Sequence, residues 1–314
     1  MRGKQALIKR DRNMENITRT FRPENIAIVY ISSVGYIPIL NVSLCSLIDH
    51  CCDRNTYDIV ILGINVDRFD RAAIKRLAKA KENISIRFFE PIDMVKKWVP
   101  ADLNVEEYRF YYRALLPWIM NEYDRILYLG ADTIIKTDVA QLCHEIIPTK
   151  KTILASLKKD GMDLDVMLMD VKGICERIKQ STMIRQLHIC ANNECLAYEK
   201  VFDNMIHPLA QEWNVQPLHV RDEMEIDTVR ETAKIIHYKR MPKPWINPLM
   251  MMAEDWWAIA RRTEYYEEIL RRMSRFEPDN RSGVRVVLDE VFPKGTKRRE
   301  IVKCIIKPFG RKEQ

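Results

Sequence analysis

Residues 108–142 read YRFYYRALLPWIMNEYDRILYLGADTIIKTDVAQL. At the centre, RILYLG (125–130) is a short apolar run bounded by polar residues, which predicts a buried strand. The segment before it, Glu106–Met120, has the apolar spacing of an amphipathic helix. Directly after the strand comes a small polar turn, Gly130, Ala131 and Asp132. Towards the N-terminus the same alternation repeats. IAIVYI (26–31), YDIVILG (57–63) and ISIRFF (84–89) read as strands, with helices expected over Ile37–His50 and Asp70–Ala80. Strands alternating with helices predict an α/β fold, a mostly parallel sheet flanked by helices.

Beyond Leu142 the rhythm loosens. ILASL (153–157), VMLMDV (166–171) and AKIIHY (233–238) are further strand candidates, and 250–273 predicts a long aromatic helix or a broken pair. The chain is expected to divide into a basic N-terminal extension (1–24), a core domain (25–245), a helical C-terminal part (246–292) and a basic tail (293–314). Open α/β sheets bind ligands beyond the carboxyl ends of their strands. The polar clusters Ser32–Tyr36, Gly130–Asp132 and His237–Trp245 all follow predicted strands, so the site is expected among them.

Composition narrows the function classes. An apolar fraction of 47% with 30% charged residues is that of a folded chain with a large core. No window is long and apolar enough for a transmembrane helix, and the N-terminus lacks the apolar region of a secretory signal. The eight cysteines form no Cys-x-x-Cys pair and are expected to be reduced thiols, as in a cytoplasmic protein. The net charge of +7 is matched by 294–312 alone, where eight basic residues face only Glu300. That distribution argues against nucleic acid as a partner of the whole chain and for an anionic partner of the tail. Ile301, Val302, Ile305, Ile306 and Phe309 fit one helical face of the tail, the pattern of an interfacial membrane helix.

The stretch 108–142 resembles glycosyltransferase family 8, in which a helix bearing Tyr and Arg leads into a Pro, then a strand ending in a carboxylate pair. Here those positions are Tyr111, Arg113, Pro117, RILYL and Gly130-Ala131-Asp132, with Gly where the family's Asp-x-Asp begins. ISSVGYIPILNVSLCSLIDH (31–50) is similar to the opening strand and uracil-binding loop, with Ser33 in place of an Asp and Tyr36 retained. MDLDVMLMDV (162–171) resembles the Asn-x-Gly segment near the sugar, with Asp163 and Asp165 at both positions. ANNECLAYEKVF (191–202) resembles the Asp-Gln-Asp segment, EWNVQ (212–216) the Trp-Asn stretch, and IIHYKRMPKPWINP (235–248) the His…Lys-Pro-Trp motif with Arg240 for Gly. The resemblance covers about 25–275.

The resemblance implies a GT-A-like fold with a helical C-terminal appendage. It implies transfer of a hexose, with retention, from UDP-glucose or UDP-galactose to a glycan or lipid-linked acceptor, as in lipopolysaccharide or other polysaccharide synthesis. The tail would place the protein at the inner face of the membrane. Departure of a nucleoside diphosphate builds charge that a divalent cation can neutralise, so Mn²⁺ or Mg²⁺ is implied as cofactor. Carried over position by position, Asp132 and His237 would hold the metal. Ser33, Tyr36, Arg113, Asp132, Asp163, Lys243 and Arg240 would bind the donor, while Asn193 and Asp165 would lie at the reacting sugar. Two other readings stay open. One is a non-catalytic relative that binds nucleotide or glycan and acts as a partner or scaffold. The other is a nucleotidyltransferase, which would want a glycine-rich phosphate loop where the chain has SSVGY.

Overall fold

The computed structural model describes residues 17–21, 25–99, 107–158, 161–191, 193–217 and 223–275. The charged tail 294–312 and most of the N-terminal extension lie outside them. The chain forms two compact units, 1–237 and 238–314.

Nine strands form among the described residues of the first unit, seven of them at or near the expected stretches. They are β1 (Ile26–Ser33), β2 (Tyr57–Ile64), β3 (Ile84–Phe89), β4 (Arg125–Leu129), β5 (Thr133–Ile135), β6 (Ile153–Lys158), β7 (Gly161–Asp170), β8 (Ile206–Pro208) and β9 (Ile235–His237). Seven make one sheet in the order β3-β2-β1-β4-β7-β6-β8, and β5 and β9 make a second, two-stranded sheet. Pairing is parallel from β3 through β4, while β7 runs antiparallel to both β4 and β6. All eight residues of β2 are buried, which explains an apolar run broken only by Asp58: a central strand covered on both faces has no solvent side to alternate towards.

Helix Ile37–Asp49 begins with Pro38 in its first turn, where the missing N–H is harmless. Helix Arg68–Arg76 is capped by Asp67, whose carboxylate accepts from Phe69 N–H at 2.7 Å and Asp70 N–H at 2.9 Å. The single helix expected over Glu106–Met120 is instead two, Glu107–Ala114 and Leu116–Ile119. Pro117 has no N–H to donate to the Arg113 carbonyl four residues back, and the helices meet between the two, at Leu115.

The sheet edge opposite the site is anchored by Asp58, buried on β2. It accepts from Arg87 Nη2 at 2.8 Å, Tyr123 Oη at 2.7 Å and the Thr20 N–H at 2.9 Å. No disulfide joins the seven cysteines among the described residues. No described helix is long and apolar enough to cross a membrane.

In the second unit, helices Ala253–Ala260 and Tyr266–Arg275 confirm a broken pair. Trp245 packs on Trp256 at 5.3 Å between ring centroids, and Trp256 on Trp257 at 5.0 Å. The Trp257 indole N–H donates to the Pro244 carbonyl at 3.1 Å.

Candidate functional site

β4 ends at Leu129, and the chain turns through Gly130, Ala131 and Asp132 into β5. Thr133 Oγ1 donates to the Gly130 carbonyl at 2.8 Å and hydrogen-bonds Ser43 Oγ at 3.0 Å, which fixes the turn from within. Thr133 pairs with His237 across β5 and β9, so Asp132 comes beside the imidazole. Its Oδ1 lies 3.6 Å from His237 Nε2.

Two more carboxylates arrive from β7. Its antiparallel register sets Val166 opposite Leu129, and the Gly130 N–H donates to the Asp165 carbonyl at 2.7 Å. Asp163 and Asp165 are two apart on the strand, and both carboxylates reach His237. Between Ala155 and Ser156 the β6–β7 register shifts, a bulge of the kind that re-aims side chains beside sites. Asp165 Oδ2 lies 3.8 Å from His237 Nε2, and Asp163 Oδ2 lies 3.4 Å from Nδ1.

His237 is fully buried. Its Nδ1 sits 3.0 Å from Asn214 Oδ1 and close to the acidic Asp163. Both neighbours are acceptors, so Nδ1 carries the proton. Nε2 is buried and has no hydrogen-bond partner among the described residues. Burial disfavours the imidazolium, but the carboxylates of Asp163, Asp132 and Asp165 outweigh it and raise the pKa of His237. In the neutral ring, the Nε2 lone pair faces two carboxylates, an arrangement that a cation between them would satisfy. The ligand atoms of Asp163, Asp165 and His237 all lie within 4.8 Å of one another. Carboxylate oxygens and an imidazole nitrogen are the ligand types that Mn²⁺ accepts, so the residues fit a divalent ion.

Arg113 is held from two directions. Nη1 donates to Asp165 Oδ1 at 2.6 Å, and Nε and Nη2 donate to the Glu194 carboxylate. Burial works against its charge, but Asp165 and Glu194 outweigh burial and hold its pKa well above the ordinary value. Its guanidinium is therefore engaged by protein carboxylates, whereas the resemblance assigns it to the donor.

Ser33 ends β1 and starts the short turn Val34–Tyr36 without a side-chain capping bond. Tyr36 is 43% exposed, so its ring is available at the carboxyl edge of the sheet. Asn193 is exposed and caps helix Glu194–Val201, its Oδ1 accepting from Leu196 N–H at 3.1 Å. Arg240 and Lys243 belong to the second unit. There the Lys243 ammonium donates to the carbonyls of Tyr238 and Lys239.

Three residues of the site had no role in the sequence reading: Asn214, Gln216 and Glu194. Gln216 donates to Asp163 Oδ2, and Asn214 orients the imidazole. Both lie in EWNVQ, which runs beside β9 through the bridge from Val215 to Ile236. That stretch was the available signal, although it named no partner. For Glu194 the signal was the resemblance of ANNECLAYEKVF to the Asp-Gln-Asp segment, in which it stands at the last acidic position.

A profile described as Glycosyl transferase family 8 matches residues 27–195, more than half of the chain. The bifunctional glycosyltransferase WbbM, in its apo form, is 19% identical, with a TM-score of 0.70, and the match covers 82% of this chain and 53% of that one. This chain thus spans about half the length of WbbM. The galactosyltransferase LgtC, solved with donor and acceptor sugar analogues, is 16% identical with a TM-score of 0.60, over 78% of this chain and 100% of that one. The glycosyltransferase GlyE of Streptococcus pneumoniae TIGR4 is 16% identical with a TM-score of 0.60, over 79% and 63%. At these identities the structures show a shared GT-A fold. No protein of curated function matches the sequence.

Proposed function

This chain belongs to glycosyltransferase family 8, and on that premise we propose that it transfers a hexose from a UDP-sugar to a glycan or lipid-linked acceptor, with retention of configuration. The observation that carries the reading is the convergence of Asp132, Asp163, Asp165 and His237 at the carboxyl edge of β4. Open α/β sheets bind ligands at that edge. The buried Nε2, which has no hydrogen-bond partner among the described residues and lies among carboxylates, favours a working cation site over a filled, non-catalytic cleft.

The roles follow from position. Tyr36 stacks on the uracil ring, and the Ser33 hydroxyl, replacing a carboxylate, gives a weaker acceptor for the base. Mn²⁺ or Mg²⁺, held by carboxylates of this cluster and His237, would neutralise charge on the departing diphosphate. Arg113 holds Asp165 in place, and Asn193 begins the helix that carries Glu194 beneath Arg113. The basic tail 294–312 would hold the protein at an anionic membrane surface, each basic residue contributing about 1 kcal/mol there. Flotation with vesicles containing phosphatidylglycerol tests this: loss of flotation on deleting 294–314 supports the anchor, and unchanged flotation removes it.

Calorimetric titration with UDP, UDP-glucose and UDP-galactose, with and without Mn²⁺, tests the main reading. Binding that strengthens with Mn²⁺ is expected. Absence of binding to any of the three would remove the reading.

A further inference from the structure

We propose that Asp165 supplies, from across the strand pair, the carboxylate that backbone position 130 lacks, so that the cation ligands are Asp132, Asp165 and His237. This deepens the metal part of the function proposed above and rests on it.

The steric observation comes first. A Cβ on Gly130 would stand 3.1 Å from Asp165 Cβ and 2.8 Å from Asp132 Oδ1. The space that a side chain at 130 would enter is occupied by the side chain of Asp165. Residues 130 and 165 are neighbours through the hydrogen bond from Gly130 N–H to the Asp165 carbonyl, so either can present a carboxylate to one place. Only one can do so without a clash. A glycine at 130 and an aspartate at 165 are two halves of one arrangement.

Orientation decides which carboxylates face the cation. The lone pair of His237 is on Nε2, because Nδ1 carries the proton towards Asn214. Asp132 and Asp165 are the carboxylates on the Nε2 side, at 3.6 and 3.8 Å. Asp163 belongs to the compact group of potential ligands, but it flanks Nδ1. Its Oδ1 accepts from the Asp165 N–H at 2.9 Å and its Oδ2 from Gln216. Asp163 is therefore a positioning residue that fixes the imidazole and the backbone of Asp165. Arg113 is a second one: it holds Asp165 Oδ1, which leaves Oδ2 turned towards Nε2. Outer partners of this kind set the geometry of the direct ligands.

The test is Mn²⁺ binding, read by electron paramagnetic resonance and calorimetry, together with thermal unfolding. The proteins are the full chain and its Asp165→Asn, Asp165→Gly, Gly130→Asp and Gly130→Asp/Asp165→Gly variants. Asp165→Asn keeps the acceptor for Arg113 and removes only the charge. Since loss of an outer partner weakens metal binding by 10–100-fold, loss of a direct ligand is expected to weaken it by at least roughly 100-fold. Gly130→Asp alone should unfold at a lower temperature, because its Cβ meets Asp165. The exchanged double variant should recover the unfolding temperature and bind Mn²⁺ within about tenfold of the original chain. Wild-type Mn²⁺ affinity in Asp165→Asn, or a double variant that binds no better than Asp165→Gly, would overturn the proposal. A wild-type chain that binds no Mn²⁺ overturns it as well, while the UDP-sugar reading is decided separately by UDP binding.

Discussion

Arg113 offers a quantitative test of how the site is held together. Replacing it with Met removes the cation that Asp165 and Glu194 share. The Glu194 side chain is 5% exposed, so it cannot recover its lost partner by rehydration, whereas Asp165 at 25% partly can. Breaking one side of a buried ion pair costs about 3–5 kcal/mol. A partly exposed pair contributes about 1 kcal/mol or less. The expected loss for Arg113→Met is therefore about 3–4 kcal/mol, dominated by Glu194. Adding Glu194→Met removes the stranded charge and fills the volume with apolar atoms. The double variant should return to within about 1 kcal/mol of wild type, as buried ion pairs replaced by packed hydrophobes commonly do. Mn²⁺ affinity should behave differently. Neither variant holds Asp165 Oδ1, so both should bind Mn²⁺ about 10–100-fold more weakly. Urea unfolding followed by tryptophan fluorescence gives the first quantity, and calorimetry the second. A single variant that loses under about 1 kcal/mol, or a double variant as unstable as the single, would refute the burial argument. Unchanged Mn²⁺ affinity in both would refute the positioning role.

Three further outcomes are expected. Asn214→Leu removes the acceptor that fixes the His237 ring, so Mn²⁺ affinity should fall by about 10–100-fold, and calorimetry that shows no change would remove Asn214 from the site. Tyr36→Ala should weaken UDP binding by about 1–3 kcal/mol, the usual worth of a base stacked on an aromatic ring, and change thermal stability little because the residue is exposed; equal UDP affinity would place the base elsewhere. Arg87→Met strips a cation from the buried Asp58 carboxylate and should destabilise the chain by about 3 kcal/mol. Faster hydrogen exchange at Thr20, whose N–H donates to Asp58, would accompany it, and a loss under about 1 kcal/mol would show that Tyr123 and Thr20 suffice.

Much of the architecture was legible because strands and helices report themselves locally. IAIVYI, YDIVILG, ISIRFF and RILYLG all became strands at or close to the expected residues, since an apolar, β-branched run of that length has few other ways to bury itself. The exceptions were also physical. Thr133–Ile135 and Ile206–Pro208 were not expected as strands, because polar residues and Pro flank them closely and no longer apolar run marks them, as AKIIHY marks Ile235–His237. The break at Leu115 was missed although Pro117 was visible, because the apolar spacing continued through it.

For the site, the resemblance carried by the sequence motifs brought forward Asp132, His237, Asp163, Asp165 and Arg113, and the sequence showed that position 130 offers no side chain. Which of these lie side by side was visible only in the tertiary structure. Gly130 and Asp165 become neighbours through antiparallel pairing of β4 with β7, and Asp132 meets His237 through β5 and β9. Glu194 beneath Arg113, and Asn214 against the imidazole, come from still other segments. Local pattern specifies which residues form a strand, because burial and alternation act over neighbouring positions. Strand partners and register depend on contacts between distant segments, so an absent side chain on one strand could be read as filled from the next only after the sheet had formed.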